Sequence, residues 1–315
     1  MQPLIEHPLE LAGFETRALE LEGDGPPVLL LHGFADSADT WRWVLDLLAR
    51  ENRGALALDM PGFGTCSPLR EEEPILDQLD AFGRAALEYL ARDRGASSWR
   101  PHSGGAVVCG NSLGGCVALR LSEDPDLGLA GIMPIAPAGL DMARWLRIIE
   151  QELGVRLVLA APVPEVVVRT VIAEVYKRLA FRHPNRVDRR AIRTFASHLQ
   201  SRATASRVLQ SGRRVVPELR DPFRLERISC PVLLVWGEDD VMVFQTGAER
   251  VLEATPDARL ELIEDCGHCP QLECPDPIAE LLLEFSPVPA AGALARQRLR
   301  PPGLLSRRSR PERGS

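Results

Sequence analysis

A doubly wound α/β domain with a mainly parallel sheet is what the sequence predicts, and three observations lead there. Short β-branched or leucine-rich runs recur at residues 28–31, 55–58, 107–109, 132–135, 232–235 and 260–263, with helical stretches between them. Such β-branched or leucine-rich runs read as strands buried on both faces. The chain has 315 residues, 45% of them apolar, enough to bury a core of that size. Helices must then cover both faces of the sheet, joined by right-handed crossovers.

The rhythm breaks between the fourth and fifth runs, where residues 139–225 carry helical patterning instead. Leu146, Ile149, Leu153 and Leu157, and later Val167, Val171, Val175 and Leu179, recur at helical spacing, so each helix has an apolar stripe. Most of these residues are expected to pack on the main domain, and a minority to line a pocket. Residues 287–315 are rich in Pro, Ala, Arg and Gly without apolar periodicity, and are expected to form a disordered, solvated tail. The chain thus divides into a core in two parts, residues 1–138 and 226–286, a helical insertion at 139–225, and a tail at 287–315.

The formal net charge of −7 and a pI near 5.5 argue against affinity for nucleic acid or anionic lipid. No apolar run approaches the roughly 20 residues that a membrane-spanning helix needs. The acidic N-terminus has no basic leader followed by an apolar run, and seven cysteines, an odd number, fit reduced thiols better than a disulfide framework. A cytoplasmic protein is expected.

The chemistry is concentrated in four motifs. Gly110-Asn111-Ser112-Leu113-Gly114 follows a strand-like run and precedes a helix-compatible stretch, the context in which Gly-x-Ser-x-Gly forms a sharp strand-to-helix turn. Such a turn strains Ser112, and side chains at 110 and 114 would collide with neighbouring elements, hence the glycines. The serine hydroxyl then stands exposed at a helix N-terminus, where the Leu113 amide can stabilise an oxyanion. A second donor is expected from the loop Leu31-His32-Gly33-Phe34, where Gly33 lets the backbone turn so that the Phe34 amide faces the same oxygen. His32 is expected to brace this loop rather than exchange protons.

Leu-His-Gly-Phe, then Asp59-Met60-Pro61-Gly62-Phe63-Gly64, then Gly110-Asn111-Ser112-Leu113-Gly114-Gly115, resembles the α/β-hydrolase family with a helical cap, over residues 27–285. The resemblance implies an eight-stranded, mostly parallel sheet, a cap inserted after the sixth strand at 139–225, and a site between cap and sheet. It also implies an acid after the penultimate strand, where Trp236-Gly237-Glu238-Asp239-Asp240 selects Asp240, with Asp239 in reserve. The loop Cys266-Gly267-His268-Cys269 resembles the family's histidine loop. With the order Ser, Asp, His, Ser112 is the expected nucleophile, His268 the base and Asp240 its orienting carboxylate.

No cofactor is expected. Cys266, His268, Cys269 and Cys274 include a Cys-x-x-Cys spacing, but no second ligand pair accompanies it, and no metal is expected. Cys269, beside the base, is expected to be an accessible, oxidisable thiol. His7, His102, His183 and His198 match no motif. Serine at the turn disfavours the relatives of this fold that form an ester on aspartate. The expected reaction is acyl transfer to water from small to medium carboxylic esters, with Trp145, Tyr176 and Phe181 hinting at apolar substrates. The alternatives are a hydrolase cleaving carbon–carbon bonds of aromatic ring-fission products, weakened by Cys269 where those enzymes often carry tryptophan, an acyl-transfer or perhydrolase activity, and a non-catalytic small-molecule receptor.

Overall fold

The computed structural model describes residues 3–92, 105–142, 170, 174, 177–185, 187 and 202–285. Eight strands form one sheet: β1 (Ile5–Leu11), β2 (Phe14–Leu21), β3 (Asp24–Leu31), β4 (Arg53–Leu58), β5 (Val107–Asn111), β6 (Gly131–Ile135), β8 (Leu233–Gly237) and β10 (Arg259–Ile263). Their spatial order is β1-β2-β4-β3-β5-β6-β8-β10, and β7 (Asp141–Met142) pairs with β9 (Val243–Phe244) in a separate ribbon. From β4 to β10 the pairing is parallel, while β1 and β2 join antiparallel at one edge.

Each predicted apolar run lies within or overlaps one strand of this sheet. The remaining two, β1 and β2, form a hairpin whose tight turn puts both Ala12 and Gly13 at positive φ, 51° and 78°. That conformation matches the right-handed twist of the flanking strands.

Alternation along the buried strands divides the core in two. Leu29, Leu31, Leu56, Leu58, Val108, Ile132, Leu234 and Trp236 face α2 (Ile75–Arg92) and α3 (Leu113–Ser122). Their neighbours Val28, Leu30, Ala55, Ala57, Val107, Met133, Leu233 and Val235 face α1 (Arg42–Arg50) and a C-terminal helix at Pro275–Phe285. Burying one such leucine contributes roughly 1.5–3 kcal/mol, so the inner strands β3, β4, β5, β6 and β8 gain on both faces, whereas β10, at the edge, is only partly buried.

α4 (Arg202–Glu218) packs Val215 into the first of these clusters, joined just beyond it by Leu219, Phe223 and Leu225. It is followed by α5 (Ala248–Ala254), α6 (Pro270–Glu273) and α7 (Pro275–Phe285). Leu179 is half-buried, and Phe181 packs with Ala180, Val187, Cys269 and Leu272. Leu146, Ile149, Leu153, Leu157, Val167, Val171 and Val175, with Trp145, Tyr176, His102, His198 and the tail at 287–315, lie outside the described residues. Among the described residues no helix is long and apolar enough to cross a membrane.

Parallel register gathers the chemistry at one edge. Leu31 pairs with Gly110, Asn111 with Ile135, and Gly237 with Ile263. The loops that follow β3, β5, β8 and β10 therefore leave the sheet side by side at the carboxyl ends of the strands, where open α/β sheets bind ligands.

Candidate active site

Ser112 sits between β5 and α3 with φ 53° and ψ −111°. A non-glycine residue there costs roughly 1–3 kcal/mol and persists only if its surroundings enforce it. Three backbone bonds do so: Ser112 N–H donates to Ile135 O, and Ser112 O accepts from Cys116 N–H and Ala138 N–H, each at 2.9 Å.

The flanking glycines are compelled by space. A Cβ on Gly110 would stand 2.2 Å from Gly114 O, and one on Gly114 would stand 2.3 Å from Leu31 O. β3, β5 and α3 thus meet backbone to backbone at the turn. Ser112 itself is half-buried, and Leu113, buried, opens α3, so its amide belongs to the first turn, whose N–H groups have no intrahelical acceptor.

Gly33 closes the opposite side: a Cβ there would lie 3.4 Å from Ser112 Cβ and 3.3 Å from Asn111 Oδ1. His32 holds this loop. Its Nε2 accepts from Met60 N–H at 2.8 Å, which leaves Nδ1 as the donor to Gly33 O at 2.7 Å. An imidazole used on both nitrogens by backbone is a brace. Phe34, half-buried, packs its ring at 5.1 Å from Phe63.

His268 and Asp240 meet in the interior. His268 Nδ1 lies 2.7 Å from Asp240 Oδ2, with side chains 3% and 1% exposed. Asp240 Oδ1 accepts from Met242 N–H at 2.7 Å and Val243 N–H at 3.1 Å, fixing the carboxylate. Asp239 instead faces outward and pairs with Arg182 at 3.4 Å, and Glu238 is exposed. With Nδ1 donating to Asp240, the neutral ring turns an acceptor lone pair out at Nε2. That atom is buried and has no hydrogen-bond partner among the described residues, Ser112 included.

Sequence reasoning missed the polar network behind these groups. Asn111 Nδ2 donates to His268 O at 2.9 Å, tying the serine turn to the histidine loop. Gln271 Nε2 donates to Asn111 Oδ1 at 3.1 Å and lies 3.2 Å from Thr40 Oγ1, and Thr40 in turn bonds Asp36. Gln271, Asn111, Thr40 and Asp36 are all buried. Burial pushes the Asp36 carboxyl up to about 7, although bonds from Ser37 N–H and Thr40 oppose it. Only the polar type of these residues was visible in sequence, since the bonds from Asn111 to His268 and from Gln271 to Asn111 and Thr40 span 157 to 231 residues.

Asp59 of the Asp59-Met60-Pro61-Gly62-Phe63-Gly64 turn is a structural anchor. Its carboxylate takes Arg17, Ala38 N–H and Thr65, and a Cβ on Gly64 would collide with it at 2.3 Å. Burial opposes its ionisation, but the Arg17 bonds prevail and hold it below the usual carboxylate range.

One expectation is corrected. Cys269 is 2% exposed, with its thiol 3.6 Å from Asn111 Oδ1, because α6 folds it under the histidine loop, so it is not an accessible thiol. Among the described residues no group of three or more His, Cys, Asp or Glu is arranged to hold a metal ion. A cavity of about 440 Å³ lies beside the His32–Phe34 loop, with Ala35 and Phe63 on one wall and Arg207, Ser211 and Arg214 of α4 on the other.

A parallel sheet with a strained serine turn and a buried histidine–carboxylate pair at its carboxyl edge defines a hydrolase of the α/β type. The chain belongs to the alpha/beta hydrolase family, whose model matches residues 28–281. It is 26% identical over 262 residues to the pimeloyl-[acyl-carrier protein] methyl ester esterase of Nitrosomonas europaea, covering 82% of this chain and 94% of that protein. It is 27% identical to the 2-hydroxy-6-oxo-6-(2'-aminophenyl)hexa-2,4-dienoic acid hydrolase of Metapseudomonas resinovorans, covering 89% and 90%. A solved serine hydrolase involved in carbazole degradation superposes with a TM-score of 0.68 at 24% identity, covering 90% of this chain and 98% of that one.

Proposed function

We propose that this protein is a serine hydrolase that cleaves carboxylic esters of small to medium apolar substrates through an acyl-enzyme, with residues 139–225 as a cap over the site. Ser112 is the nucleophile, His268 the general base and Asp240 the carboxylate that orients the ring, while the amides of Phe34 and Leu113 form the oxyanion hole. The carrying observation is the buried His268–Asp240 contact at 2.7 Å, which leaves His268 Nε2 as an unpartnered buried acceptor on the loop that Asn111 ties to the serine turn.

In this reading the Ser112 hydroxyl gives its proton to Nε2. The histidine takes the proton as oxygen attacks the carbonyl, then gives it to the departing alcohol. Water repeats the sequence on the acyl-enzyme. Asp240, held by two amides, offsets the positive charge that the ring acquires, and each oxyanion donor is worth roughly 10²–10³ in rate.

Incubation with a fluorophosphonate, location of the adduct by mass spectrometry, and hydrolysis of p-nitrophenyl acetate to hexanoate test this reading. Labelling confined to Ser112, with turnover abolished in Ser112→Ala, is expected. A folded protein with Ser112 unlabelled refutes it and favours a ligand receptor. The likeness to the dienoic acid hydrolase of Metapseudomonas resinovorans supports a second reading, cleavage of a carbon–carbon bond in ring-fission products, which loss of dienoate absorbance would reveal.

A further inference from the structure

Glu273 lies five residues beyond His268 and is 6% exposed. Its carboxylate gathers three backbone N–H groups, one from the nearby histidine loop and two from a segment some 90 residues earlier in the chain. Oε2 accepts from Gly267 at 2.9 Å and from Arg182 at 3.1 Å, and Oε1 accepts from His183. The residue just before the proposed base is thus fastened to residues 182–183 through one side chain.

The seam between these segments is tight and continues on both sides of His268. A Cβ on Gly267 would stand 2.7 Å from Arg182 N and 2.8 Å from Ala180 O. Cys269 N–H donates to Ala180 O at 3.2 Å. Around it, His183 Nε2 lies 2.5 Å from Asp265 Oδ1, and Arg182 pairs with Asp239, next to Asp240. Residues 180–183 therefore strap both the loop carrying His268 and the loop carrying Asp240, and Glu273 is the buried pin of the strap.

From this geometry we propose that Glu273 is a positioning residue for His268: it fixes the height of the histidine loop against residues 180–183, so that base geometry depends on the docking of that segment. The proposal rests on His268 being the base. A glutamine at 273 has one acceptor oxygen and one NH₂, so in either orientation at least one of the three backbone donors faces another donor. Glycine 267 offers an independent handle, because alanine there wedges the same seam from the other side with the carboxylate intact.

The test compares wild type, Glu273→Gln, Glu273→Asp and Gly267→Ala, each verified as folded by circular dichroism at the assay temperature. The readouts are kcat and KM for p-nitrophenyl acetate and the rate at which a small fluorophosphonate labels Ser112. Glu273→Gln and Gly267→Ala are expected to lower kcat and the labelling rate together by about 10- to 100-fold, with KM within about twofold, as displacement of a reacting group requires. Glu273→Asp, which keeps both acceptor oxygens, is expected to fall between them and wild type. Wild-type labelling rates in the folded variants, with only melting temperature or KM altered, would reduce Glu273 to cement and overturn the proposal. A wild-type protein unlabelled at Ser112 would overturn the reading of the site and this proposal with it, a different outcome from labelling of wild type and variants alike.

Discussion

Replacing Asp36 with asparagine should change how stability depends on pH. Asp36 stands in the loop that carries Gly33 and Phe34, is 5% exposed, and accepts from Ser37 N–H at 2.9 Å. Burial pushes its carboxyl from 3.8 up to about 7, and the neighbouring Asp39 and Asp59 push in the same direction. The native state therefore holds a proton that the unfolded chain releases above 3.8. Stability from this group is complete below that value, falls as pH rises, and stops falling just above pH 7. At roughly 1.4 kcal/mol per pH unit, the whole interval corresponds to about 4 kcal/mol. Between pH 5 and pH 8, linkage gives a loss of about 2.5 kcal/mol. Asparagine reproduces the shape and hydrogen bonding of the protonated acid but does not titrate. Urea denaturation at pH 5 and pH 8 should therefore show the variant gaining on wild type by about 2.5 kcal/mol at the higher pH. A difference between the two proteins that is the same at both values would refute the reasoning.

Further outcomes follow from other contacts. Asp240→Asn should leave the fold intact, since its Oδ1 can still accept from Met242 and Val243 N–H, but lower kcat by roughly 10³- to 10⁴-fold by disturbing the tautomer of His268; steady-state kinetics on p-nitrophenyl acetate would show it. Gly114→Ala, whose Cβ would stand 2.3 Å from Leu31 O, should fail to accumulate as folded protein. Gly33→Ala meets only contacts of 3.3–3.4 Å, so it should melt within a few degrees of wild type while losing kcat. In native protein, a thiol reagent followed by peptide mapping should modify only the half-buried Cys66, Cys230 and Cys274. It should do so slowly, because burial pushes Cys66 up to about 12 and Cys230 up to about 11. Modification of Cys269 before unfolding would contradict its burial.

The sequence by itself determined what is local or repetitive. Strands buried on both faces have little room for polar residues, so β3, β4, β5, β6 and β8 announced themselves as apolar runs, and β10, at the sheet edge, as a leucine-rich run around Glu261. The glycines around Ser112 and at Gly33 were legible for a similar reason: a backbone turn that admits no Cβ dictates residue type within a few positions. β1 and β2 escaped because an edge hairpin needs only one covered face; its signal was alternation beside Ala12-Gly13, not an apolar run. The choice of Asp240 rested on resemblance, and chemistry alone left Asp239 open. Tertiary structure separates the two, since one turn of backbone sends Asp240 inward to His268 and Asp239 outward to Arg182. It alone decided that Cys269 is buried, that Gln271 and Asn111 tie the histidine loop to the serine turn, and that Glu273 reaches residues 182–183. A hydrogen bond between residues 90 or 160 positions apart leaves no periodicity in either segment. Its energy depends on where the folded chain brings two backbones, and that placement exists only after the sheet and its helices have packed.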